Sequence, residues 1–153
     1  MKIDWVVPGL LAAGPIPIDA GDLRSLHQQG IRVIMTLTEK PLMAQTGITP
    51  ALLTELGMTL HHSPIPDGEP PTAAQAKHIV LQIDEEHERN RAVYLHCHAG
   101  IGRTGTMLHA YFLMHGQSLA DARRSVRKAR IGCLFDNLTP EQRKFLEEFA
   151  AIL

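Results

Sequence analysis

One short run of this 153-residue chain gathers the residue types best able to do chemistry: His96-Cys97-His98-Ala99-Gly100-Ile101-Gly102-Arg103-Thr104-Gly105. Cys97 follows an apolar run, Ala92-Val93-Tyr94-Leu95, of strand length and composition. Five residues separate it from Arg103, which opens an apolar helical segment. The spacing predicts a strand, a glycine-bearing loop and a helix N-terminus in succession. Such a loop can hold a tetrahedral oxyanion. Gly100 and Gly102 permit backbone angles closed to other residues, so the amides of His98, Ala99, Gly100, Ile101 and Gly102 can turn inward on it. The helix directs its positive end to the same point. Arg103 can add a planar two-pronged hydrogen bond that a lysine could not copy.

The same field acts on the sulfur. A free thiol titrates near pH ~8.5, and one at a helix N-terminus beside an arginine falls to roughly 3.5–7.5. Cys97 is therefore expected as a thiolate nucleophile that needs no separate base. The Thr104 hydroxyl can stabilise that thiolate and later the departing thiol.

The motif His-Cys-x-Ala-Gly-x-Gly-Arg-Thr-Gly resembles the signature loop of the cysteine-dependent protein tyrosine and dual-specificity phosphatases, and within them the small atypical dual-specificity phosphatases. Rhodanese-type sulfurtransferases usually have a shorter loop. Low-molecular-weight tyrosine phosphatases carry theirs at the N-terminus, with the acid downstream. Here the loop lies two-thirds along the chain, so the resemblance places the acid upstream. Ser63-Pro64-Ile65-Pro66-Asp67-Gly68-Glu69-Pro70-Pro71 resembles the family's mobile acid loop, with Asp67 at the general acid. A poor leaving oxygen needs such a donor. Asp67-Gly68 also reads as a plain turn, and Glu69 is a rival acid. Trp5–Ala12 and Gly30–Glu39 resemble the family's opening strand pair and next strand, which makes the likeness nearly end to end.

The resemblance implies two-step hydrolysis of phosphotyrosine, and of phosphoserine and phosphothreonine, on proteins. Cys97 would form a cysteinyl-phosphate, Asp67 would serve as acid and then base, and Arg103 with the loop amides would stabilise the transition state. It implies no metal or other cofactor, vanadate or sulfate as loop ligands, and a bell-shaped pH profile with a mildly acidic optimum. His96 would stiffen the loop. Gln142 stands where the family orients the hydrolytic water, although Thr139-Pro140-Glu141-Gln142 equally reads as a capping box. No segment matches the insertion that deepens strict tyrosine-phosphatase pockets. His98 and Ile101 stand where phosphoinositide-directed members often carry lysine. RNA 5′-phosphates gain little from a near-neutral chain. A phosphate-binding module without activity would commonly lose the cysteine or the acid, and a thiol-redox or sulfur-transfer enzyme would leave Asp67 unexplained.

Composition sets the frame. At 44% hydrophobic residues and net charge −1, the chain suits one domain over 1–153, with no bias toward nucleic acid or membrane. Two cysteines are too few for a disulfide framework and fit a reducing, cytoplasmic setting. Asp4, Pro8, Pro15 and Pro17 spoil any signal peptide, no run is long enough to span a membrane, and a monomer is expected.

Elements follow from periodicity and caps. Strands are expected near 5–7, 10–13, 31–37, 58–62 and 92–96. Helices are expected from Asp19 to Gly30, from Thr49-Pro50 to Gly57, and from a Thr72/Gln75 capping box with Ala76, Ile79, Val80 and Ile83 inward. The segment 104–115 reads as a buried central helix. Ser118 and Thr139-Pro140 open the last two helices, the final one packing Phe145, Phe149 and Ile152. The pattern predicts an α/β three-layer sandwich: a mostly parallel, mixed sheet of about five strands with helices on both faces. The Cys97 loop then falls at the carboxyl end of a central strand.

Other residues have plainer readings. Nine histidines, with His96 and His98 flanking Cys97 and the pair His61-His62, invite zinc. Adjacent strand residues face opposite ways, however, and no complete ligand set appears. Cys133 reads as a small buried hydrophobe, with a resolving thiol for Cys97 as the alternative. Arg123, Arg124, Arg127, Lys128 and Arg130 read as a solvated helix face, or as a docking surface for an acidic or phosphorylated partner.

Overall fold

The computed structural model describes residues 1–153. Strands β1 (Asp4–Val7), β2 (Leu11–Gly14), β3 (Ile31–Thr36), β4 (Thr59–His62) and β5 (Ala92–His96) form one sheet in the order β1-β2-β5-β3-β4. Only the β1–β2 hairpin pair is antiparallel. The helices are α1 (Ala20–Gln28), α2 (Pro50–Leu56), α3 (Ala73–Glu88), α4 (Gly102–Met114), α5 (Leu119–Ala129) and α6 (Pro140–Ile152). This is the expected sandwich, and β5 lies at its centre.

Alternation along the strands sorts the core into two layers. Val93 and Leu95 of β5, with Val33 and Met35 of β3, face α3 to α6. Ala92, Tyr94 and Ile34 face α1 and α2. Ten of the 13 residues of α4 are buried, which requires protein on every side of a helix. It packs against α3, α5 and α6 and so holds the end of β5 rigidly.

Helix starts follow the caps. Asp19, Thr49, Thr72, Ser118 and Thr139 each accept a backbone N–H from the first turn of the helix they precede. The α4 helix begins at Gly102, next to Arg103 as expected, and of the two loop glycines only Gly100 takes a positive φ. Two expectations need correction. Gln75 closes no capping box. Its amide instead donates to Ser63 Oγ at 3.0 Å and to the Pro64 carbonyl at 2.9 Å, tying α3 to the segment before it. Ile152 does not pack: it is 62% exposed in the last turn of α6, beyond the reach of the core. No helix is long and apolar enough to cross a membrane.

Candidate active site

Cys97 is the first residue past β5 and is 3% exposed. Burial by itself pushes its thiol up. Hydrogen bonds from the Thr104 hydroxyl and from the amides of Thr104, Ile101 and Gly100 outweigh that, so the thiol ends below its ordinary value of 9.0. Unlike the five helices above, α4 has no side-chain cap: its N-cap is Ile101, which makes no such bond. Its first amides are thus left for an anion. Thr104 Oγ1 is fully buried and has no oxygen or nitrogen partner. The Cys97 sulfur is therefore the acceptor left to that hydroxyl, which favours the ionised form.

The loop keeps its shape through contacts on its outer side. Gly100 sits at φ +73°, and a Cβ there would come within 2.2 Å of the Gly14 carbonyl oxygen. Arg130 Nε donates to the Gly100 carbonyl at 2.9 Å, and Nη1 pairs with Asp4 at 2.7 Å. Cys133 Sγ donates to the same carbonyl at 3.2 Å. Holding the carbonyls outward leaves the amides inward. Gly100→Ala should therefore cost about 2–4 kcal/mol, from the left-handed backbone and the overpacking. A melting scan should show a drop of roughly 5–15 °C; an unchanged midpoint would mean the two backbones are not locked together.

His96 is fully buried. Its Nδ1 lies 2.7 Å from the Cys97 carbonyl and its Nε2 2.8 Å from Thr36 Oγ1. A carbonyl only accepts, so Nδ1 carries the proton and Nε2 accepts from the threonine. Burial pushes this imidazole down to about 4, so it is neutral at physiological pH. His98 is exposed, which sends the two flanking histidines apart.

Arg103, 4% exposed, is held in place by Nη1, which donates to Glu39 Oε1 at 2.5 Å and to the Ile65 carbonyl at 2.9 Å. Nη2 lies 3.4 Å from Asp67 Oδ1. Glu39's own backbone N–H, and then Arg103, hold its carboxyl below the usual range. Sequence reasoning missed Glu39 as a site residue. Its signal was position: an acidic residue leaving the carboxyl end of a parallel strand, where ligands bind in such sheets.

The segment between β4 and α3 is anchored by Ile65, which is fully buried and whose N–H donates to the Leu37 carbonyl. Beyond it, Glu69 N–H donates to Pro66 O, closing a turn with Gly68 at φ +79°. Asp67 rides on this turn with its side chain 85% exposed, and Glu69 is exposed as well. The start of α6 pins the turn from behind. Thr139 Oγ1 donates to the Gly68 carbonyl at 2.8 Å, and Gln142 Nε2 to the Glu69 carbonyl at 3.4 Å. Gln142 completes the capping box with Thr139. A Cβ on Gly102 would lie only 3.3 Å from its Nε2. One buried side chain thus caps α6, touches the start of α4 and holds the Asp67 turn.

Asp67, Glu39, Arg103, His98, Lys40 and Ile16 line one cleft of about 520 Å³. The cleft itself carries His98 of the loop, the fixed guanidinium and an exposed carboxylate, and the sulfur of lowered pKa is buried one residue before His98. Those parts suit nucleophilic attack on a bound oxyanion ester with protonation of the leaving group. Cys133 is buried as expected, its thiol pushed up to about 12 mainly by burial, so it is inert at neutral pH.

Comparison with known proteins agrees with this geometry. A family model described as "Polymorphic toxin system, DSP-PTPase phosphatase" matches residues 12–117. The phosphatidylglycerophosphate phosphatase PTPMT2 of Arabidopsis thaliana is 30% identical over 146 residues, covering 93% of this chain and 60% of that protein. Cyclin-dependent kinase inhibitor 3 of Rattus norvegicus is 26% identical over 136 residues, 84% of this chain and 61% of that protein. The chain therefore spans about three-fifths of the length of these two relatives. Among solved structures, the active form of Tk-PTP superposes with a TM-score of 0.84 at 26% identity, over 99% of this chain and 97% of that one. PTPMT1 shares the fold with a TM-score of 0.82 at 22% identity, over 99% and 95%. With 106 of its 153 residues inside the family match, the chain belongs to the DSP-PTPase phosphatase family.

Proposed function

We propose that this phosphatase removes phosphate from protein side chains, from phosphotyrosine and also from phosphoserine and phosphothreonine. The observation that carries the chemistry is the sulfur of Cys97, ringed by three amides and the Thr104 hydroxyl beside an uncapped helix start. Cys97 Sγ attacks phosphorus, the bond to the ester oxygen breaks, and protonated Asp67 gives its proton to that oxygen. Arg103 and the amides of residues 98–102 hold the charge spread over the equatorial oxygens. Water then attacks the cysteinyl-phosphate, Asp67 takes its proton, and the sulfur leaves as a thiolate that Thr104 receives. His96 and Gln142 are positioning residues, one for the loop and one for the Asp67 turn.

A lipid phosphomonoester is the second reading, favoured by the PTPMT2 likeness. Against it, the loop positions His98 and Ile101 supply no lysine for a highly charged headgroup. Hydrolysis of a phosphotyrosyl peptide and of a short-chain phosphatidylglycerophosphate, both in chelator, tests the choice. The peptide should have the higher kcat/KM by at least about tenfold, a preference of about 1.4 kcal/mol. The reverse order would overturn the protein reading and leave the cysteine chemistry intact.

Asp67→Asn separates the acid from a turn residue. Loss of a positioned proton donor costs about 10²–10⁴-fold. The loss should be large for a phosphoseryl peptide and much smaller for p-nitrophenyl phosphate, whose leaving group needs little protonation. Equal losses on both substrates would make Asp67 a turn residue and move suspicion to Glu69.

A further inference from the structure

Of the five cations on α5 and its exit, four are exposed and Arg130 alone turns inward, its side chain 15% exposed. Each of its three nitrogens has a partner. Nη1 pairs with Asp4 Oδ2 of β1 at 2.7 Å, Nε donates to the Gly100 carbonyl at 2.9 Å, and Nη2 to the Ala99 carbonyl at 3.4 Å. Arg130 does not line the catalytic cleft, so its partners are the protein's own groups. A carbonyl and the N–H that follows it share one planar peptide and point opposite ways. The Ala99 carbonyl therefore belongs with the Gly100 N–H, and the Gly100 carbonyl with the Ile101 N–H. These are two of the three amides that hydrogen-bond the Cys97 sulfur. The third, Thr104, lies in the first turn of α4 and is fixed by the helix.

The other outward bonds of the loop come from neutral donors. His96 Nδ1 serves the Cys97 carbonyl, Ile16 N–H the His98 carbonyl at 2.9 Å, and Cys133 Sγ shares the Gly100 carbonyl. Arg130 is the one cation among them. A hydrogen bond from a cation is roughly twice as strong as a neutral one. It also polarises the peptide it holds, which strengthens the N–H on the far side. We propose that Arg130, fixed by Asp4, is a positioning residue for the nucleophile: it aims the Gly100 and Ile101 N–H groups at Cys97 and so keeps the sulfur ionised. The inference rests on the reading of Cys97 as nucleophile. Its rival is a bare guanidinium charge acting on the sulfur through space. The remaining titratable groups around Cys97 are constant: His96 is neutral at physiological pH, burial holds Tyr94 and Cys133 protonated, and His98 and Arg103 stay in every variant.

The rate of Cys97 alkylation by iodoacetamide, followed against pH, reads the sulfur without turnover. In Arg130→Gln its midpoint should rise by about one unit, roughly a tenfold loss of thiolate on the acid side. The acid limb of kcat/KM for p-nitrophenyl phosphate should move with it. Arg130→Lys keeps the charge but cannot span two carbonyls and a carboxylate, so it should recover less than about half of the shift. Asp4→Asn separates the two roles because it removes a negative charge. Its midpoint should rise by about half a unit if Asp4 fixes the fork, and should fall if the guanidinium is a bare charge. Asparagine keeps the shape of aspartate, so this arm decides even where Arg130→Gln fails to fold. A lowered midpoint in Asp4→Asn, full recovery in Arg130→Lys, or a midpoint unmoved in Arg130→Gln and Asp4→Asn alike would overturn the proposal. Any of these with phosphomonoester hydrolysis intact leaves the nucleophile reading standing. Should the midpoints shift as expected while the wild type hydrolyses no phosphomonoester, the nucleophile reading falls and the hold of Arg130 on the sulfur is upheld.

Discussion

Cys97→Ser should reduce turnover by roughly 10⁵–10⁶-fold, the scale on which loss of a covalent nucleophile acts in other enzymes. The reason lies in what surrounds residue 97. Three amides and the Thr104 hydroxyl outweigh burial and bring a thiol below 9.0. The same field acting on an alcohol, which ionises many units higher, leaves it protonated. Phosphate affinity should survive or rise, because the amides and Arg103 remain while the negative sulfur facing the dianion is gone. Calorimetric titration with inorganic phosphate checks this. On the acid limb of the profile, the wild-type rate should fall as pH drops through the lowered thiol pKa, and ionised sulfur persists on the neutral side of 9.0. Iodoacetate at pH 7 should accordingly label Cys97 and spare Cys133, whose thiol lies near 12. A Cys97→Ser enzyme with more than about one per cent of wild-type turnover would place the nucleophile elsewhere.

What the sequence disclosed, and what it hid, follows from distance along the chain. The strand, loop and helix around Cys97 are contiguous, so their geometry is dictated by neighbouring residues: alternation in β5, glycine at 100, and the absence of a Ser, Thr, Asp or Asn cap before α4. Layer assignment was equally legible, since Val93 and Leu95 face one side and Tyr94 the other. Contacts made across the fold were not. Arg130 looks like its four basic neighbours, yet its carboxylate partner lies 126 residues away and its carbonyl partner 30. Cys133 read as filler because a buried thiol and a thiol donating to a loop carbonyl have one sequence signature. Gln142 offered two readings, and its geometry joins cap and loop support in one side chain. Glu39 ends the stretch that resembles a family strand, and its pairing with Arg103 spans 64 residues.

Arg103→Lys should lower kcat/KM by about 10³-fold, within the range seen when a transition-state charge donor is removed. Arg103 serves two sides of the site at once. Nη1 is committed to Glu39 and to the Ile65 carbonyl, which fixes the side chain and leaves the remaining donors to face the cleft. Nη2 stands 3.4 Å from Asp67, so an arriving phosphate competes with that carboxylate for the same nitrogen. In the proposed mechanism, loss of that contact would free the Asp67 carboxyl for the leaving oxygen. A lysine ammonium has three donors and no planar fork, and cannot hold Glu39, Ile65 and two phosphate oxygens together. It would settle on Glu39, the carboxylate nearest the guanidinium, and leave the transition state underserved. The loss should therefore appear mainly in kcat, with phosphate affinity reduced less. Because Glu39 competes for the lysine, Arg103→Lys/Glu39→Gln should recover part of the rate, about tenfold. A single Arg103→Lys enzyme within tenfold of wild type would show that the inward amides alone carry the charge, and a double variant slower than the single would show that Glu39 positions the cation and does not divert it.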